Sequence, residues 1–131
     1  MRVVLDTNIL ISACWKPGGN EAQVLALACS GQLEIALSPA LLAEYNDVAA
    51  RPKFANHRAA LLSAIAALSA VALSVEPLPA CDACSDPDDN LLLDTALAAS
   101  ARFVVTGNLR HFPPSWQGIQ VINARSLLDL Q

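Results

Sequence analysis

Two continuous apolar runs, Val3-Val4-Leu5 and Phe103-Val104-Val105, constrain the fold of this chain more than any other feature. Runs that are apolar at every position, rather than at alternate ones, suit strands buried on both faces of a parallel sheet. Residues 33–37 and 119–122 read as two further strands. Helical patterns separate them. Asn20 and Glu21 open a stretch in which Ala22, Leu25 and Cys29 recur at helical spacing, with Gly31 as its stop. Ser38 followed by Pro39 is a helix start, and Leu41, Leu42, Tyr45 and Val48 form the apolar side of that helix before Pro52 ends it. An Ala-rich helix over residues 55–73, another over 89–100 and a short one over 124–130 complete the pattern. Strands alternating with helices require right-handed crossovers. The fold class this implies is α/β, a three-layer sandwich with a central parallel β-sheet flanked by helices.

At 131 residues the chain has the length of one domain, so residues 1–131 are read as a single folding unit. Hydrophobic residues make up 54% and charged residues 15%, which excludes an intrinsically disordered chain. The 24 Ala and 21 Leu favour the helices. A net charge of −4 excludes binding to nucleic acid by phosphate neutralisation alone, though not an enzyme that meets phosphate through metal ions.

Asp6 interrupts the apolar stretch that a secretory signal would need, and the uncharged segment 59–75 is Ala-rich, carries Ser63, Ser69 and Ser74, and is short for a membrane span. The expectation is a soluble, cytoplasmic chain in which that segment is a buried or partner-facing helix. Cys81 and Cys84 form a Cys-x-x-Cys pair, but no second pair completes a zinc site. The pair also lies in a proline-punctuated loop between Pro79 and Pro87, so Cys14, Cys29, Cys81 and Cys84 are read as ordinary reduced thiols.

In an open parallel sheet, ligands bind beyond the carboxyl ends of the strands. Asp6 follows the first strand, with Thr7 and Asn8 after it, and Asn108 stands just past the third. Asp89 lies near a helix start and Glu44 on the helix after the second strand. Together they form a layout of three carboxylates and an amide suited to hard divalent cations such as Mg²⁺ or Mn²⁺. Each residue also has a plainer reading. Asp6 is placed to cap a helix, Glu44 to sit on a helix surface, and Asp82, Asp86 and Asp88 to form a solvated acidic loop. Asp94, five residues beyond Asp89, is turned about 140° from it on a helix, so the two face one ion only if Asp89 is the helix cap. There is no Gly-x-Ser-x-Gly elbow and no phosphate-cradling glycine loop, so nucleophilic and nucleotide-cofactor chemistry are unsupported.

The segment Val3-Val4-Leu5-Asp6-Thr7-Asn8-Ile9-Leu10-Ile11-Ser12 resembles the first motif of the PIN-domain family. Ser38-Pro39 through Glu44-Tyr45, running into Arg51-Pro52-Lys53-Phe54, is similar to the second. Asp86-Pro87-Asp88-Asp89-Asn90, with Leu92 and Ala96, resembles the third, and Thr106-Gly107-Asn108-Leu109-Arg110-His111-Phe112 the fourth. The four occur in order and cover nearly the whole chain. The branch they resemble is the bacterial and archaeal toxin component of toxin–antitoxin pairs, the VapC-like ribonucleases.

The resemblance implies a PIN-like fold and a Mg²⁺- or Mn²⁺-dependent endoribonuclease with an antitoxin partner and a homodimeric state. By motif position, Asp6, Glu44 and Asp89 match the family's acidic metal-binding residues, with Asp94 as an alternative ligand. Thr7, Asn8, Ser12 and Thr106 match supporting polar positions. The fourth position is commonly Asp in the family and is Asn108 here, an uncharged oxygen donor. The mechanism implied has Asp6 and Asp89 on the principal ion, Glu44 directing the attacking water and Asn108 assisting a second ion. Arg51, Lys53, His57 and Arg58, and Arg110 with His111, are the local basic groups available to RNA. Two rivals stand beside this reading. One is a catalytically weak or inactive PIN-like module that binds protein or RNA. The other is a haloacid-dehalogenase-type phosphohydrolase, which needs an Asp where Asn8 stands.

Overall fold

Strand β1 (Arg2–Leu5) lies near the middle of the sheet in the computed structural model, which describes residues 1–131. It pairs in parallel with β2 (Glu34–Leu37) on one side and with β4 (Phe103–Val105) on the other. β3 (Leu73–Ser74) extends the sheet beyond β2, and β6 (Ile119–Ile122) extends it beyond β4, again in parallel. The sheet order is β3-β2-β1-β4-β6-β5. Val3, Val4 and Leu5, with their register partners Phe103, Val104 and Val105, are all at most 1% exposed. That burial is what their unbroken apolar runs require.

The α/β class and the helix-flanked sheet are as the sequence implies. The sheet departs from purely parallel at one edge, where β5 (Ser115–Trp116) runs antiparallel to β6. Gln117 and Gly118 link them, both at positive φ (52° and 80°), the mirror-image turn that matches the twist of a two-residue hairpin.

The helices are α1 (Thr7–Trp15), α2 (Asn20–Cys29), α3 (Pro39–Ala49), α4 (Arg58–Val71), α5 (Pro87–Ala98) and α6 (Ala124–Asp129). The sequence pattern assigns no helix to α1. Its β-branched Thr7, Ile9 and Ile11 weaken intrinsic propensity, and burial of Ile9, Leu10 and Ala13 overrides that weakness. The Ala-rich helix starts later than residue 55, because Pro52–His57 forms a 3₁₀ turn ahead of it. Residues Pro52–Val71 are long and apolar enough to cross a membrane. In the fold, Leu61, Ile65 and Leu68 of this stretch are buried at helical spacing, and α4 packs on α1, α2 and α3. α5 begins earlier than residue 89. Asp86 is its cap, accepting from the Asp88 N–H at 2.9 Å, with Pro87 in the first turn.

Candidate active site

Leu5 and Val105 are register partners, so the chains leaving β1 and β4 emerge side by side. Asp6 ends one and Thr106 the other. The Asp6 N–H donates to the Val105 carbonyl at 2.9 Å. Asp6 precedes α1 in cap geometry, but its carboxylate makes no capping bond. Instead its Oδ2 accepts from the Thr106 hydroxyl at 2.7 Å and from the Asn8 amide at 3.2 Å. The fully buried Thr106 hydroxyl also accepts from the Asn108 N–H at 3.0 Å, and Asn8 Oδ1 accepts from the Gly107 N–H at 3.0 Å. The two loops are therefore clamped together with the carboxylate of Asp6 between them.

Glu44 is brought to the same place by α3. Ser38 caps that helix on the Leu41 N–H at 3.2 Å and its hydroxyl lies 3.0 Å from that of Thr95 on α5. The buried Tyr45 hydroxyl donates to the carbonyl of Leu5, the residue before Asp6. This bond pins the middle of α3 to the end of β1, with Glu44 one residue away. α5 supplies Asp89, whose side chain is 14% exposed, with His111 Nδ1 3.8 Å from its Oδ2.

These groups line one crevice of about 280 Å³. Asp6, Glu44, Asp89, Asp86 and Asp88 make one wall acidic, and Thr7, Asn8, Asn108 and His111 add neutral or weakly basic donors and acceptors. Arg51, Lys53 and Phe54 also line it, with the apolar side chains of Ile11, Leu41, Val48 and Leu92. The acids perturb one another. Burial raises the pKa of Asp6, against the Thr106 hydroxyl and the N–H groups of Thr7 and Asn8. Burial also raises Glu44, with Asp88, Asp47 and Asp6 adding to it and Arg51 opposing. Asp89 is pushed up to about 6, first by burial and then by Asp6 and Asp86, with His111 opposing. Acids that raise one another in a shared crevice are stabilised by an added cation.

No three His, Cys, Asp or Glu side chains converge on a single point in this arrangement. The donor set nevertheless fits Mg²⁺ or Mn²⁺. Such ions keep several waters and need only one or two carboxylates, with substrate phosphate completing the sphere.

Four residues proposed from the sequence lie outside the crevice lining. Asp94 does not reach the crevice. Because Asp86 rather than Asp89 caps α5, Asp94 lies on another side of the helix, 7% exposed. Its Oδ1 accepts from the N–H groups of Ala80 and Cys81 at 3.1 and 2.8 Å, holding the preceding loop. Arg58 donates to the carbonyls of Ala49 and Ala50, both at 3.0 Å, which ties down the end of α3. Ser12 is half-buried farther along α1 and does not line the crevice. Arg110 is exposed in a neighbouring groove that shares Asp86, Asp89 and His111 with the site.

Sequence reasoning missed Asp86 and Asp88 as crevice residues, and Tyr45 as the tie between Glu44 and Asp6. The Asp86-Pro87 pair, a helix-start pattern, was the available signal for the first two. Cys81 and Cys84 are free thiols. Asn90 accepts from the Cys84 N–H at 2.9 Å and from the Cys81 thiol at 3.3 Å. Burial pushes Cys84 up to about 11 and raises Cys81, so both stay protonated near neutrality.

An uncharacterized protein of Methanocaldococcus jannaschii is 29% identical over 111 residues, spanning 82% of this chain and 71% of that protein. Among solved structures, the fold is similar to DNA-bound VapBC from Salmonella typhimurium, at TM-score 0.64 and 20% identity over 95% of this chain and 98% of that one. VapBC2 from Rickettsia felis bound to a promoter DNA fragment gives 0.59 at 19% identity, covering 94% and 98%. VapBC-1 from nontypeable Haemophilus influenzae gives 0.59 at 17% identity, covering 95% and 99%. The family model of the PIN domain matches residues 2–110, and the chain belongs to the PIN-domain family.

Proposed function

We propose that this chain, as one domain over residues 1–131, is a divalent-metal-dependent endoribonuclease and the toxin of a toxin–antitoxin pair. The observation that carries the reading is the meeting of Asp6, Glu44 and Asp89 from three separate elements in one crevice, with Arg51 and Lys53 in its lining. Nucleases of the PIN-domain family use divalent metal ions, and Asp6 and Asp89 are the residues that would hold Mg²⁺ or Mn²⁺ here. When bound, the ion neutralises phosphate charge and makes water more acidic. Glu44, raised above the usual carboxylate range, accepts a proton from the attacking water more readily than an ordinary Glu. Asn108 offers a neutral oxygen at the fourth position. Thr106 and Asn8 fix the Asp6 carboxylate, and Thr7 lines the crevice beside it. Arg51 and Lys53 meet the RNA backbone at the crevice, and Arg110 extends the basic surface beyond it.

The three solved structures of similar fold described above are VapBC proteins, which supports a cognate antitoxin as partner. A homodimer in the cytoplasm completes the proposal. Asn108 favours a second reading, a PIN-like module that binds RNA or protein without cutting, since it puts a neutral amide where the family resemblance implies a carboxylate.

The test is cleavage of a mixed pool of structured and single-stranded RNAs with Mn²⁺, with Mg²⁺ and with EDTA, beside Asp6→Ala. Metal-dependent cleavage that the variant loses is the expected result. Cleavage unchanged by EDTA or by Asp6→Ala overturns the assignment, and a folded chain that binds RNA without cutting it favours the second reading.

A further inference from the structure

Against Phe54, a residue of the crevice lining, stands a side chain that metal-dependent cleavage does not use. Trp15, the last residue of α1, is 52% exposed although it is the largest side chain in that helix. Its indole is not loose. It meets the ring of Phe54 edge-on at 5.6 Å and that of His57 edge-on at 5.4 Å. Phe54 in turn lines the crevice, and Lys53 Nζ sits 5.1 Å from its ring centroid. Trp15 is thus an exposed aromatic shelf braced by His57 and by the buried Phe54, which also carries Lys53 on its ring.

Held rings beside a basic track match the way proteins grip single strands: cations follow the backbone while unpaired bases stack on aromatic faces. A duplex offers no free base face to such a shelf. Trp15 stands nine residues along α1 from Asp6, about 13 Å along the helix axis, within the span of a few nucleotides. Resting on the ribonuclease reading above, we infer that Trp15 is a base-stacking residue that holds an unpaired base of the substrate beside the crevice.

The chain has two tryptophans, and Trp116 lies on β5, outside both crevice and shelf. Trp116→Phe therefore leaves Trp15 as the sole indole reporter. A short single-stranded RNA is expected to quench its fluorescence, while the same sequence annealed to its complement is not. In the otherwise native chain, Trp15→Leu is expected to weaken single-strand binding by roughly ten-fold or more, with Trp15→Phe retaining most of it. Unquenched fluorescence and unchanged affinity in Trp15→Leu, from a wild type that binds and cuts RNA, overturn the stacking role and leave the nuclease standing. Equal affinity for single strand and duplex does the same. A Trp15→Leu chain that changes oligomeric state without changing RNA affinity overturns it in favour of a protein interface. A wild type that neither binds nor cuts RNA overturns both readings.

Discussion

Replacing Asp89 by Asn is expected to stabilise the metal-free protein while abolishing cleavage. The Asp89 carboxylate accepts no hydrogen bond from its neighbours, and its nearest polar partner is His111 at 3.8 Å, so an isosteric amide forfeits little. What the substitution removes is a charge held against burial, Asp6 and Asp86, which raise the group from its ordinary 3.8 to about 6. At about 1.36 kcal/mol per pH unit, that shift corresponds to roughly 3 kcal/mol as a ceiling. Screening by salt and water in an open crevice lowers the expected gain to about 1–2 kcal/mol, or roughly 4–8 °C in melting temperature.

The pH dependence has a definite sign. Between about 4 and 6 the native state holds the Asp89 proton more tightly than the unfolded chain, so the contribution of Asp89 to stability falls as pH rises through that window and is constant above it. Asp89→Asn lacks that fall. Urea unfolding in EDTA at pH 7.5 and at pH 3.5 therefore shows a gap between the two proteins at the higher pH that closes at the lower. Adding Mn²⁺ at pH 7.5 stabilises the wild type by mass action and narrows the gap. An Asp89→Asn protein no more stable than wild type in EDTA at pH 7.5, or a gap independent of pH, refutes the reasoning.

Thr106→Val keeps shape but removes both the donor to Asp6 and the acceptor for the Asn108 N–H. It should cost about 1–3 kcal/mol in urea unfolding and lower cleavage even in protein that remains folded. Asp94→Ala should cost a similar amount, about 1–3 kcal/mol, by releasing the Ala80 and Cys81 N–H groups, yet calorimetric Mn²⁺ affinity of the folded fraction should match wild type. A loss of Mn²⁺ affinity would return Asp94 to the ligand set. Asn108→Asp, adding a carboxylate to an acidic crevice, should tighten Mn²⁺ binding and lower the melting temperature in EDTA. Unchanged affinity would show that position 108 lies outside the ion's reach.

The sequence by itself determined four of the six strands and the chemistry-bearing ends of two of them. Val3-Val4-Leu5 and Phe103-Val104-Val105 leave no polar face, so they had to be buried strands, and Asp6 and Asn108 therefore had to sit at their carboxyl ends. Ser38-Pro39 announced α3, and with it Glu44. Tertiary structure decided the rest, because it rests on contacts between residues far apart in the chain. β-branched α1 is a helix because its inner face is buried, and Asp6 is a held carboxylate because Thr106, one hundred residues away, donates to it. Asp94 and Arg58 look as eligible in sequence as the residues kept. Their hydrogen bonds depend on α5 being capped three residues earlier, at Asp86 rather than Asp89, and on the carbonyls left open at the end of α3. The brace of Trp15 on Phe54 and His57 spans some forty residues of chain and exists only once α1 and the 3₁₀ turn pack together. Periodicity reports which face of an element is buried, and it carries no information on which partner meets that face.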